Sequence, residues 1–218
     1  MKPRVQILVD TKSWIIIYAK QLNRILINEG YQSSFITKTT DIENGDILFL
    51  LGCHTVLSTE ILNKNKHNIV IHESDLPEGK GWSPMTWQII EGKNRIPLCL
   101  FEAVKSVDSG KIYLKDEIIL NGSELIDCWQ KKLGNKTIDL CQKFLLKYPK
   151  DIISVNQEKR SSTKYRRRTP KDSEIDINKT LKEQFNLLRT VDNTNYPAFF
   201  KYLGQTYIIK IEKNRKDV

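Results

Sequence analysis

The chain has 218 residues, of which 39% are hydrophobic, with a formal net charge of +9 at pH 7. That length allows a substantial core but leaves no room for a third large domain, and no apolar run approaches the roughly 20 residues that cross a bilayer. The excess of Lys and Arg favours an anionic partner: nucleic acid, a nucleotide-linked metabolite or a membrane surface. Cys53, Cys99, Cys128 and Cys141 form no C-x-x-C pair, so buried free thiols are expected, with neither a zinc site nor a disulfide framework. The N-terminus, Met1-Lys2-Pro3-Arg4-Val5, lacks the apolar centre of a signal peptide, and a cytoplasmic protein is the expectation.

In chain order, Val5 to Val9 reads as a buried strand. Trp14 to Glu29 reads as a helix, with Ile17, Leu22, Ile25 and Leu26 at helical spacing and Gly30 as its stop. Ser34 to Thr37, Asp46 to Leu51 and Ile69 to Ile71 are short apolar runs suited to buried parallel strands. Ser58 to Asn65 is a helix capped by Ser58. Strands alternating with helices predict a doubly wound, mostly parallel α/β sheet. Beyond Pro84, a helix is expected over Met85 to Glu91, a strand over Ile96 to Ala103, and extended segments over Lys111 to Leu114 and Glu117 to Leu120. A long helix follows over Ser123 to Lys147, and the main domain is expected to end near Pro149. After it come a polar, basic stretch from Gln157 to Pro170, a helix over Asn178 to Arg189, and a hairpin over Phe199 to Ile211 turning at Gly204-Gln205. Residues 151–218 thus read as a small α+β appendage.

His72 follows directly on the fourth strand, at the carboxyl end, where open α/β sheets bind their ligands. An arbitrary histidine is more often structural than catalytic, but the sequence beyond it, Leu76-Pro77-Glu78-Gly79-Lys80-Gly81, makes a tight loop whose backbone can approach a ligand. Downstream, Val107-Asp108-Ser109-Gly110 supplies a carboxylate. In isolation that run is an ordinary turn; paired with His72 it offers a base and an orienting group.

At these positions the sequence resembles the formyltransferases that use N10-formyltetrahydrofolate. The residues carrying the resemblance are His72-x-Ser74-x-Leu76-Pro77, Lys80-Gly81-x-x-Pro84 and Asp108-x-Gly110. The resemblance implies a Rossmann-like formyltransferase fold. It implies His72 and Asp108 as the proton-handling couple and N10-formyltetrahydrofolate as co-substrate, with no metal. It also implies a folate-contacting loop at Cys53, Val56 and Leu57, with Ala103, Val104 and Val107 lining the same ligand. The family's asparagine two residues before the histidine is Val70 here. Losing one such oxyanion donor typically costs about 2.7–4 kcal/mol of transition-state stabilisation. Ser74 and Asn68 are the nearest side chains that could substitute. Lys80 stands where the family has arginine, which keeps the charge without the bidentate fork.

Lys159 to Arg168 carries six positive charges in ten residues, usually the mark of a solvated linker or a general polyanion patch. The next segment, Arg168-Thr169-Pro170-Lys171-Asp172-Ser173-x-Ile175-Asp176, resembles sugar-nucleotide N-formyltransferases, as do Leu188-Arg189 and Tyr196-Pro197-Ala198-Phe199. The resemblance implies a nucleotide-linked amino sugar as acceptor. Arg168 and Arg189 would meet a diphosphate, Tyr165 or Trp82 would stack on a base or sugar, and Lys80 and Gly81 would line the same site. Gly79 to Pro84 and Leu100 to Ala103 are most like the enzyme of pseudaminic acid biosynthesis, implying a UDP-linked 4-amino-4,6-dideoxy acetamido sugar. The other acceptors weighed are a dTDP-amino sugar, glycinamide ribonucleotide and methionyl-tRNA, the last disfavoured because the stretch after residue 150 is short for the tRNA-binding barrel domain of such enzymes. A noncatalytic nucleotide- or nucleic-acid-binding relative is the alternative that Val70 supports. Nucleic acid is the less favoured partner, no membrane is expected, and a homo-oligomer is allowed.

Overall fold

A computed structural model describes residues 2–214. Its centre is a six-stranded sheet built from β1 (Arg4–Leu8), β2 (Gln32–Ile36), β3 (Gly45–Leu50), β4 (Asn65–His72), β6 (Arg95–Glu102) and β7 (Ile112–Ile119), in the order β2-β1-β3-β4-β6-β7. The first four strands are parallel, while β6 and β7 each run antiparallel to the preceding neighbour. The two extended runs expected after Gly110 are one continuous strand, β7, because every residue from Arg95 to Leu100 finds a partner along it. Between the strands lie α1 (Ile16–Asn28), α2 (Thr59–Leu62), the two-residue β5 (Lys80–Gly81) and α3 (Pro84–Ile90). The helix α4 (Ile126–Lys147) follows the sheet. As expected, the Ser58 hydroxyl caps α2, accepting from the Ile61 N–H at 3.3 Å.

Side chains alternate across each strand, so the sheet has two distinct faces. Val5, Ile7, Phe49 and Ile69 face one way, into the main core with Leu22 and Leu26 of α1 and Leu133, Cys141 and Phe144 of α4. Leu8, Leu48 and Leu50 face the other way, into a smaller cluster with Leu57, closed by Cys53 and by Ile61 and Leu62 of α2. Val70 packs on this thinner side, and the alternation of β4 puts Asn68 and His72 on it too.

The remainder comprises β8 (Lys164–Tyr165), α5 (Phe185–Leu188), and the hairpin of β9 (Ala198–Tyr202) and β10 (Gln205–Ile209). The helix expected over Asn178 to Arg189 shrinks to a single turn. Asp176, Thr180, Glu183 and Gln184 instead bond side chain to backbone in successive turns, competing with helical hydrogen bonding. The basic stretch is not a solvated linker: β8 pairs in parallel with β5, immediately after the His72 loop. Among the described residues, no helix is long and apolar enough to cross a membrane.

Candidate functional site

Strand order places a topological switch between β1 and β3, and the loops beyond their carboxyl ends are where an open α/β sheet binds ligands. His72 closes β4 at this edge and is buried. Its Nε2 lies 2.9 Å from the Gly79 carbonyl oxygen, a contact that assigns the hydrogen to Nε2 and leaves the lone pair of the neutral ring on Nδ1. The same Nε2 is 3.9 Å from Asp108 Oδ2, and the two side chains are only 8% and 10% exposed. This is an ionic separation, too long for a direct hydrogen bond. The Asp108 carboxylate instead accepts the Gly81 N–H at 2.8 Å. Phe101 presents its ring edge-on to the imidazole at 6.4 Å.

Two glycines make this approach sterically accessible. A Cβ on Gly81, whose φ is +96°, would come within 2.4 Å of the Tyr165 carbonyl oxygen. One on Gly110 would overlap the Glu102 carbonyl oxygen at 1.7 Å. The first lets β5 lie against β8, and the second lets the Asp108 loop fold back on β6.

Cys53, Leu57 and Ala103 meet in one apolar cluster, which joins the loop after β3 to the end of β6. Val56, Val104 and Val107 are exposed. Burial pushes the Cys53 thiol up to about 12, so it serves there as an apolar contact. Val70, in the position of the missing asparagine, packs into the floor of this cluster. Asn68 is not a substitute donor. It lies four residues back along β4, about 13 Å from His72 at strand rise, and its amide donates to the Leu62 carbonyl. Ser74 is better placed. It is buried beside Gly79, and its hydroxyl has no hydrogen-bond partner among the described residues.

The basic side chains named from sequence divide. Lys80 reaches over the Asp108 loop, donating to Ser109 Oγ at 3.1 Å. Arg189 is corrected: it is fully buried, with its guanidinium held by Glu124, Asn94 and Asn186, and is not open to a diphosphate. Arg168 is likewise spent internally, on the Thr190 and Asp172 carbonyls and Ser173 Oγ. Tyr165 stacks on Trp87 and donates to Glu91 rather than facing a ligand. Trp82 is half-buried. His54 lies against its ring at 5.2 Å, and the Arg167 guanidinium sits 4.9 Å from the ring centre. His54, in turn held by Asp10, and Arg167 were missed in the sequence. An exposed histidine and one arginine among six basic residues carry no local signal. The Gly79 carbonyl was equally invisible, since a backbone acceptor has no residue type.

Glu73 lies toward the α1–α4 side, with its carboxyl still within the field of the His72 ring. It lines a cavity of about 60 Å³ with Trp14, Ile15, Leu51, Gly52, Ile71 and Thr137. Burial, the dominant effect, pushes its carboxyl above the usual range. Folding then favours the protonated form, so Glu73's contribution is fully present below pH about 4.3 and is lost as pH rises through its folded value. Glu73→Gln is therefore expected to raise the melting temperature at neutral pH by about 2–4 °C, the equivalent of 1 kcal/mol in a chain of this size. The gain should vanish near pH 4; a gain independent of pH in thermal melts would contradict the burial argument.

Residues 17–137 match the family model described as formyl transferase. A methionyl-tRNA formyltransferase from Sulfurihydrogenibium sp. (strain YO3AOP1) is 29% identical over 158 residues, covering 72% of this chain and 51% of that protein. The chain thus spans about half the length of this curated relative. Among solved structures, a sugar N-formyltransferase from Shewanella sp FDAARGOS_354 superposes with a TM-score of 0.71 at 13% identity, covering 97% and 98% of the two chains. HypX from Aquifex aeolicus in complex with tetrahydrofolic acid gives 0.77 at 14% identity, covering 94% of this chain and 37% of that one. With the family model spanning more than half of its residues, the chain belongs to the formyl transferase family.

Proposed function

We propose that the protein transfers a formyl group from N10-formyltetrahydrofolate to the amine of a nucleotide-linked amino sugar, of the UDP-linked 4-amino-4,6-dideoxy acetamido type. The observation that carries this reading is the buried His72–Asp108 couple beside the apolar cluster of Cys53, Leu57 and Ala103. The cluster suits the flat, largely apolar pterin of the folate donor.

In this reading the acceptor nitrogen attacks the formyl carbon, and the bond from that carbon to N10 breaks. The attacking amine gives its proton to the Nδ1 lone pair of His72. Asp108, 3.9 Å from the ring, stabilises the imidazolium that forms, and that proton passes on to the departing N10, yielding tetrahydrofolate. Val70 offers no hydrogen bond to the transient oxyanion, which leaves the unpartnered Ser74 hydroxyl and the charged His72 ring to hold it. Arg167 and Lys80 take the diphosphate role that Arg168 and Arg189 cannot fill, and Trp82 offers a stacking face. Homo-oligomer formation and a cytoplasmic setting belong to the same reading.

The test is to supply N10-formyltetrahydrofolate with UDP- and dTDP-linked amino sugars, glycinamide ribonucleotide and methionyl-tRNA in parallel. Release of tetrahydrofolate with a formylated UDP-sugar is the expected result. Formylation confined to methionyl-tRNA or glycinamide ribonucleotide would overturn the acceptor class, and no transfer to any amine would overturn the enzyme reading.

A further inference from the structure

The couple formed by His72 and Asp108 is held from behind by the basic segment. This strap begins at Val155, which exchanges two backbone hydrogen bonds of 2.8 Å with Ile112. Two residues later, the Gln157 side-chain amide donates to the carbonyls of Asp108 and Gly110, both at 3.0 Å. Both amide hydrogens are thus committed to the turn that carries the carboxylate, a turn with φ of +52° at Asp108 and no regular structure of its own. The strap then crosses to the other half of the couple. Arg160 binds Asp75 and Glu78, and the Ser162 hydroxyl donates to the Pro77 carbonyl. Thr163 Oγ1 accepts the Gly79 N–H at 2.8 Å, and its backbone carbonyl accepts the Lys80 N–H at 3.0 Å. Gly79 is the residue whose carbonyl holds His72 Nε2.

We propose that Gln157 and Thr163 are positioning residues for formyl transfer: one strap sets both the Asp108 carboxylate and, through Gly79, the His72 ring. The proposal rests on the formyltransferase reading above. Neither side chain touches the reacting atoms. Each bonds the backbone that carries or holds its partner of the couple, and misplacement by about 1 Å can cost on the order of 100-fold in rate. Arg160 pins the strap to Asp75 and Glu78, while the uncharged Gln157 and Thr163 do the positioning.

The decisive comparison is Thr163→Val, which keeps the shape and removes the hydroxyl, against Thr163→Ser, which keeps the hydroxyl. Gln157→Leu tests the other end. Thr163→Val and Gln157→Leu are expected to lower kcat by about 10- to 100-fold with KM for donor and acceptor little changed, and Thr163→Ser should restore turnover. Amide hydrogen exchange, read without substrate, should speed up at Gly79 in Thr163→Val and at Gly81, which is bonded to Asp108, in Gln157→Leu. Wild-type kcat in both variants, or failure of Thr163→Ser to restore it, overturns the proposal. Should the unaltered enzyme transfer no formyl group, it is the reaction assignment that falls. The exchange measurement then decides the strap separately, since unchanged exchange at both glycines would remove it as well.

Discussion

Replacing His72 with Ala is expected to lower kcat by at least about 100-fold, the low end of what a positioned acid or base contributes. Donor binding should be little affected, since the apolar cluster of Cys53, Leu57 and Ala103 does not include the ring. Asp108→Asn separates two roles that Asp108→Ala removes together. The amide oxygen can still accept the Gly81 N–H that Asp108 Oδ2 accepts at 2.8 Å, but it carries no charge for the imidazolium. A large fall in kcat for Asp108→Asn, with the fold intact, locates the contribution in the charge. A fall seen only in Asp108→Ala locates it in the loop. Steady-state kinetics with N10-formyltetrahydrofolate measure both, and near-normal turnover in His72→Ala and Asp108→Asn alike would show that the chemistry lies elsewhere.

The largest expected loss of stability comes from Arg189. Its guanidinium is fully buried, donating from Nε to the Glu124 carbonyl at 3.1 Å and from a terminal nitrogen to Asn94 and Asn186 at 3.1 and 3.2 Å. Its own backbone carbonyl accepts the Trp129 indole N–H at 3.0 Å. Arg189→Met keeps the apolar stem but strands those acceptors, which costs about 1–3 kcal/mol for each group left unsatisfied, equivalent to about 2–12 °C each in melting temperature for a chain of this size. Burial alone would raise the partner carboxyl, Glu124, but Lys132 and the Asn121 N–H outweigh it and hold it down at about 2. A depressed carboxyl contributes stability above its unfolded value, near 4.3, and loses it as pH falls through the folded one. Glu124's stabilising contribution, which runs through Lys132 and the Asn121 N–H, should therefore fade in thermal melts as pH falls toward 2. A variant that melts normally but loses affinity for the acceptor would return Arg189 to the binding site.

These two cases mark how far the residues were legible. His72 could be placed because strand periodicity located the end of β4, and it was the resemblance to the formyltransferases that tied it to Asp108. Helix α1, the Ser58 cap and the parallel strands followed from apolar spacing, which is a local property. Arg189 was misread because a buried and an exposed arginine have the same local sequence. What buries it is Glu124, Asn94 and Trp129, residues 60 or more positions away. The helix expected over Asn178 to Arg189 failed for a related reason, side-chain hydrogen bonds outcompeting a propensity that no packed face reinforced.

The sequence by itself determined the α/β class and the alternation that sets His72 on the thin side of the sheet, and its resemblance to the formyltransferases named His72 and Asp108 as the proposed proton-handling pair. All of these depend on neighbouring residues or on motif spacing. Only the tertiary structure decided which basic residues are committed to internal partners and that Val70 packs against the apolar cluster. It also revealed that the segment from Gln157 to Tyr165 is a strap, not a linker. Each of these rests on backbone groups and long-range hydrogen bonds, whose partners are fixed by the path of the chain in space and leave no mark on the residue types that make them.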